Sequence, residues 1–182
     1  MGKPMHHRRP RPRPEHPAAS ALGIAIRVAL LLSMVAVASA TPLLVREGLQ
    51  NATATMVAPL VSATGIEVAA LAPHDLRLAN HPFRIDFECT AFRIVLLFTM
   101  AVLVTPVSLK RRLQGLLIGV PTIVVANLVR IVGLAGVSEF RPEYFNVLHA
   151  YTFQALMVVF AGGAWAYWLS ISRNDWLPGW DR

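Results

Sequence analysis

Three side chains in this 182-residue sequence are not explained by their apolar neighbours: Cys89 in "DFECTAF", Arg130 in "ANLVRIVGL" and His149 in "NVLHAYTFQ". An ionised thiol is a nucleophile or a metal ligand, whereas a buried protonated one is a small, inert hydrophobe. An arginine in an apolar run is costly without a partner, water or a purpose, and its bland reading is snorkelling toward the headgroups. A histidine near a membrane surface is either an interfacial polar residue or a proton carrier that titrates near neutrality. Cys89 is the only cysteine, which excludes an internal disulfide and a multi-cysteine metal knuckle. No ligand spacing joins Cys89 and His149 to His74 or His81, so neither a metal nor any other cofactor is expected. The "DFE" before Cys89 also lacks the small residues that lipoprotein processing requires.

The elements that must carry these residues follow from composition. Hydrophobic residues make up 55% of the chain and charged ones 15%, against about 25% charged in ordinary soluble domains. With a mean hydropathy of +0.52, a polytopic membrane protein is the class to test first. The formal net charge of +7 does not indicate a nucleic-acid partner, because much of it flanks apolar runs, in "MGKPMHHRRPRPRP" and in "KRR" at 110–112. Residues 22–45, 91–107, 113–137 and 150–171 read as spans of a hydrocarbon core about 30 Å thick. Pro121 is expected to kink the third. The first also resembles a signal peptide, with "ASA" at 38–40, but apolar residues continue to Val45 and favour an uncleaved anchor.

Lys3, Arg8, Arg9, Arg11 and Arg13 precede the first span, and Lys110, Arg111 and Arg112 join the second to the third. Glu47, Glu67, Asp75, Asp86 and Glu88 occupy the first intervening loop, and Glu139 and Glu143 the last. The positive-inside rule then makes both termini cytoplasmic and puts residues 46–90 and 138–149 outside. Within the long loop, Val57, Leu60, Val61, Val68 and Leu71 recur near helical spacing, predicting an interfacial amphipathic helix over 56–71. Leu76 and Leu78, then "NHP", then Phe83, Ile85 and Phe87 predict a β-hairpin, with Cys89 continuing the last alternating face. The expected fold is therefore an all-α polytopic membrane protein with about four transmembrane helices, an interfacial helix and a small outer hairpin. Residues 1–21 form a basic Pro/Arg-rich tail, 22–171 a single membrane-embedded domain and 172–182 a second cytoplasmic tail.

This frame brings the three residues to one depth. Arg130 lies eighteen residues after Arg112, which at about 1.5 Å per helical residue is about 27 Å across the bilayer. Cys89 opens the second span on the outer side and His149 opens the fourth. Asn127 shares the helix face of Arg130 and can hydrogen-bond to it or to a substrate.

Together, "ECTA", "NLVRIV" and His149 resemble the exosortase/archaeosortase family of membrane transpeptidases, over roughly residues 83–160. Pro121 ahead of "NLVRI" belongs to the most specific piece of the likeness, and the length is similar to that of short exosortases such as the H type. Ala91 is a departure, standing where the family commonly has Gly. The resemblance implies Cys89 as nucleophile, Arg130 as electrophilic stabiliser and His149 as acid/base. A nearby cation would favour the thiolate of Cys89 over its ordinary pKa of about 8.5. Asn127 would support the site, and Glu88 either orients His149 or is a solvated charge. It further implies substrates that are exported proteins ending in a short motif, a transmembrane helix and a basic cluster. They would meet the enzyme in the lipid of a bacterial inner membrane, at its periplasmic face. A non-catalytic assembly or polysaccharide-export factor with a structural Cys/Arg/His cluster is the competing reading. A small transporter or channel is a poorer one, for want of a pair of broken helices.

Overall fold

The computed structural model describes residues 40–172 except 73 and 80, with isolated positions before residue 40. Helix α1 (Leu43–Ser62) leads into strands β1 (Val68–Ala72), β2 (Asp75–Leu78) and β3 (Pro82–Arg84). A 3-10 turn, Phe87–Cys89, joins the strands to α2 (Phe92–Val104), followed by the long α3 (Leu109–Phe140). A 3-10 turn, a short helical turn and a π-helical stretch, Leu148–Thr152, then lead into α4 (Phe153–Ser172). The sheet is antiparallel in the order β1-β2-β3, with Leu76 opposite both Ala70 and Phe83.

Two apolar clusters hold these elements. In the first, Ala54, Val57 and Val61 of α1 and Leu76, Leu78, Phe83 and Ile85 of the sheet region meet Ile131, Leu134 and Ala135 of α3, and Cys89 is a member. In the second, Phe98 and Val102 of α2 and Ile123 of α3 meet Met157, Ala161 and Trp168 of α4. The buried residues of α3, from Gly115 through Gly119, Ile123 and Asn127 to Arg130, Leu134 and Ser138, recur at three- and four-residue steps and form one face. The opposite face exposes Leu117, Ile118, Val125 and Val129. Only 33% of the most apolar stretch of α3, and 22% of that in Pro142–Ser172, is buried. A core helix of a soluble protein would be mostly covered, so the exposed apolar face fits lipid.

Two helices among the described residues are long and apolar enough to cross a membrane: Leu109–Phe140 and Pro142–Ser172. They cover the third and fourth expected spans, and α3 runs uninterrupted through Pro121. The second expected span is a helix of 13 residues, about 20 Å long at the helical rise. The first, residues 22–45, lies largely outside the described residues, as do the tail 1–21 and, apart from Ser172, the tail 172–182.

The loop differs from expectation in its boundaries. The helix expected over 56–71 instead spans Leu43–Ser62, and Val68 and Leu71 belong to β1. Gly65 is the reason for the break: its φ of +87° ends helical winding and turns the chain into the sheet. The expected hairpin is present as β2 and β3, with β1 as a third strand.

Candidate active site

Cys89 closes the 3-10 turn between β3 and α2, with its amide donating to the Asp86 carbonyl at 2.8 Å. Thr90 Oγ1 donates to the Phe87 carbonyl at 2.8 Å, and Gln50 of α1 donates to the Ile85 carbonyl at 2.9 Å. The guanidinium groups of Arg46 and Arg93 lie on the Phe87 ring, 5.1 and 5.7 Å from its centroid. These contacts fix a turn that no strand continues. The inward aim expected from the alternation of Phe83 and Ile85 is reached through this turn, and Cys89 is 2% exposed. Ala91 has φ of −72°, so no left-handed backbone is needed at this position.

The polar centre lies on α3. Asn127 Nδ2 donates to the Cys89 carbonyl at 2.8 Å, and Arg130 Nη1 donates to Asn127 Oδ1 at 3.1 Å. Both side chains are buried, Asn127 at 3% and Arg130 at 5% exposure. Nε and Nη2 of Arg130 have no hydrogen-bond partner among the described residues. Two buried guanidinium donors without acceptors are costly in a folded protein unless another molecule supplies one. Snorkelling does not describe this arginine, whose head is turned into the protein.

His149 is in the π-helical stretch before α4. Its ring stacks on Phe145 with centroids 5.4 Å apart, and Phe145 meets Phe83 edge-on at 6.1 Å. The imidazole is thereby tied to the cluster that contains Cys89, and its Nδ1 has no partner among the described residues. π-helical turns inside helices recur at functional sites because they re-aim a side chain. The Arg130 charge reaches both the Cys89 thiol and the His149 ring, secondary in each to burial.

One expectation changes with this geometry, and one open alternative closes. Burial pushes the Cys89 thiol above its ordinary value; a backbone hydrogen bond at Asp86 and the Arg130 charge pull it down, and the Asp86 and Glu88 charges push it up. Desolvation of this nearly inaccessible sulfur outweighs the Arg130 charge. The carboxylate of Glu88 pairs with Arg93 at the surface, so it is a solvated charge and not the group that orients His149. Phe145, which fixes the imidazole plane, carried no sequence signal beyond its i, i+4 spacing from His149. No group of three or more metal-ligating side chains occurs among the described residues.

Comparison with curated proteins and with solved structures gives no match. The family model described as transmembrane exosortase (Exosortase_EpsH) matches residues 17–169, a stretch that contains Cys89, Asn127, Arg130 and His149. With most of its length inside that match, and apolar helices whose exposed faces fit lipid, the chain belongs to the transmembrane exosortases, a membrane family of the peptidase/transpeptidase kind.

Proposed function

We propose that this chain is a cysteine transpeptidase or peptidase that cleaves C-terminal sorting signals of exported proteins at the periplasmic face of a bacterial inner membrane. Cys89 gives its thiol proton to His149 and the sulfur attacks the scissile carbonyl carbon, forming a C–S bond and a tetrahedral oxyanion. Nε and Nη2 of Arg130 donate to that oxygen. The intermediate collapses as the C–N bond breaks and His149 gives its proton to the leaving amine. The resulting thioester then passes to an incoming amine or to water, which loses a proton to His149.

The observation that supports this reading most is the Arg130 guanidinium, 5% exposed, linked through Asn127 to the Cys89 backbone, with two donors left unpartnered. A structural polar cluster would use those donors internally.

Membrane placement follows the same logic. With both termini cytoplasmic, α2 runs inward from Cys89 as the second of four spans. Its length of about 20 Å falls short of a hydrocarbon core of about 30 Å, so the reacting groups sit inside the outer leaflet edge. A substrate helix with its basic end inside would bring the segment just outside it to this level.

Processing of a co-expressed, tagged exported protein that ends in a motif, an apolar helix and basic residues tests the proposal. Cys89→Ala should abolish processing, and Arg130→Lys should lower it severely because a point charge cannot present two parallel donors. Intact processing by Cys89→Ala would exclude the thiol as nucleophile and favour a structural cluster.

A further inference from the structure

Asn127 has a more specific task than filling a polar gap on α3. Its amide is used at both ends: Nδ2 donates to the Cys89 carbonyl at 2.8 Å, and Oδ1 accepts from Arg130 Nη1 at 3.1 Å. Rotating the amide by half a turn would set oxygen against oxygen and N–H against N–H, so its orientation is fixed by both neighbours. Each contact is buried, which removes water as a competitor. With Nη1 engaged, the pair left free is Nε and Nη2, which project parallel N–H bonds from one edge of the planar group. That edge is the one that holds two oxygens, or one oxyanion, in a fork.

We infer that Asn127 is a positioning residue of this site, whose side-chain amide fixes the Cys89 backbone and the Arg130 fork in one relation. The inference rests on the function proposed above and adds the element that sets nucleophile and oxyanion donor against each other. Arg130 is carried by α3 and Cys89 by the turn before α2, and the Asn127 amide bridges those two elements at the reacting level. A merely structural asparagine would need to satisfy only the Cys89 carbonyl. The second bond, to the arginine, brings the electrostatics of the thiol under its control.

Cys89 is the only cysteine in the sequence, so alkylation by iodoacetamide reports one thiol in the full-length protein. The charged groups acting on that thiol are Arg130 of α3 and Asp86 and Glu88 at the turn. Arg46 of α1 and Arg93 of α2 lie on Phe87, and His149 is the further titratable group of the site. Alkylation rate against pH gives a midpoint for each variant, with processing of the tagged substrate measured in parallel. Asn127→Asp sets a carboxylate against the guanidinium and an unprotonated oxygen against the Cys89 carbonyl. The alkylation midpoint should rise by about one pH unit or more, as it does when a cation's influence on a nearby group is neutralised. Processing should fall by about 10²-fold, the scale of loss when reacting groups are misplaced by an ångström. In an Arg130→Gln background, Asn127→Ala should move the midpoint no further, because the two residues act through one contact.

An Asn127→Asp midpoint equal to that of the unsubstituted protein overturns the inference whatever processing does. Should that variant not accumulate, Asn127→Ser gives the same reading, since its shorter side chain cannot bridge both partners. If Cys89→Ala retains processing, the proposed function falls, whereas the midpoint comparison still decides whether Asn127 governs the thiol's surroundings. Loss in Cys89→Ala with unchanged midpoints and processing in the Asn127 variants keeps the function and removes this residue's role.

Discussion

A sulfur that is 2% exposed is a poor nucleophile at rest, because the dry surroundings that would sharpen its reactivity also hold its proton on. Burial is the largest effect on Cys89 and raises its pKa, and the Arg130 cation opposes it. The sign can be worked out for any reaction that needs the thiolate. The reactive fraction is small at neutral pH and grows as pH passes through a midpoint above the ordinary thiol value of about 8.5. Arg130→Gln removes a charge that lowers the pKa, so its midpoint should lie higher still. Stopped-flow or quenched alkylation across pH 6 to 11 checks both, and a lower midpoint in Arg130→Gln would contradict the assigned direction. At this scale much was legible in the sequence. A guanidinium, an imidazole and a thiol each stand out against apolar neighbours by type alone. The Arg130–Asn127 bond was legible in their shared helix face. The partner of Glu88 and the second partner of Asn127 were not, because Arg93 and the Cys89 carbonyl are chosen by a turn whose geometry only tertiary packing sets.

Helix packing explains how residues so far apart in sequence hold one geometry. Gly119 of α3 lies against the Phe98 ring of α2, and a Cβ there would run into that ring. Gly115 lies against Trp168 of α4, whose Nε1 would be 2.6 Å from an added Cβ. These are close approaches of backbone to aromatic rings, the usual use of small residues between membrane helices. Gly136, on the same helix, has nothing within 4 Å of an added Cβ. Gly119→Ala should therefore destabilise the fold by about 1–3 kcal/mol through overpacking. Gly136→Ala should be neutral or stabilise by up to about 1 kcal/mol through helix propensity. Thermal aggregation of the detergent-solubilised proteins distinguishes them; equal behaviour would mean that α2 is free to move away from α3. The long apolar runs announced α3 and α4, since twenty or so apolar residues have few alternatives. The sheet was half legible: β2 and β3 alternate, whereas "VAALA" in β1 has no alternation to mark it as a strand. The break at Gly65 depends on a left-handed backbone that composition alone does not reveal.

Orientation decides whether the site meets exported substrates at all. The sheet and the Cys89 turn lie at one end of α2, and the basic connection before α3 lies at the other. Arg112 Nη2 donates to the Thr105 carbonyl at 3.1 Å, and Trp165 and Trp168 donate to Thr105 Oγ1 and the Arg111 carbonyl. Tryptophans and arginines gathered at one helix end are what an aqueous interface favours, and the positive charges favour the cytoplasmic one. Cys89 is too buried for a bulky, charged maleimide, unlike small neutral iodoacetamide, to report sidedness, but a Cys89→Ala background is free of thiols and makes single introduced cysteines clean reporters. Arg84 of β3 and Lys110 at the start of α3 are both exposed. With the outer envelope permeabilised and the inner membrane sealed, an impermeant maleimide should label Arg84→Cys at once and Lys110→Cys only after lysis. The opposite order would turn the site toward the cytosol, where the proposed sorting substrates have their basic ends and not their motifs. Such a result would leave the buried Arg130 fork intact and remove the substrate class proposed for it.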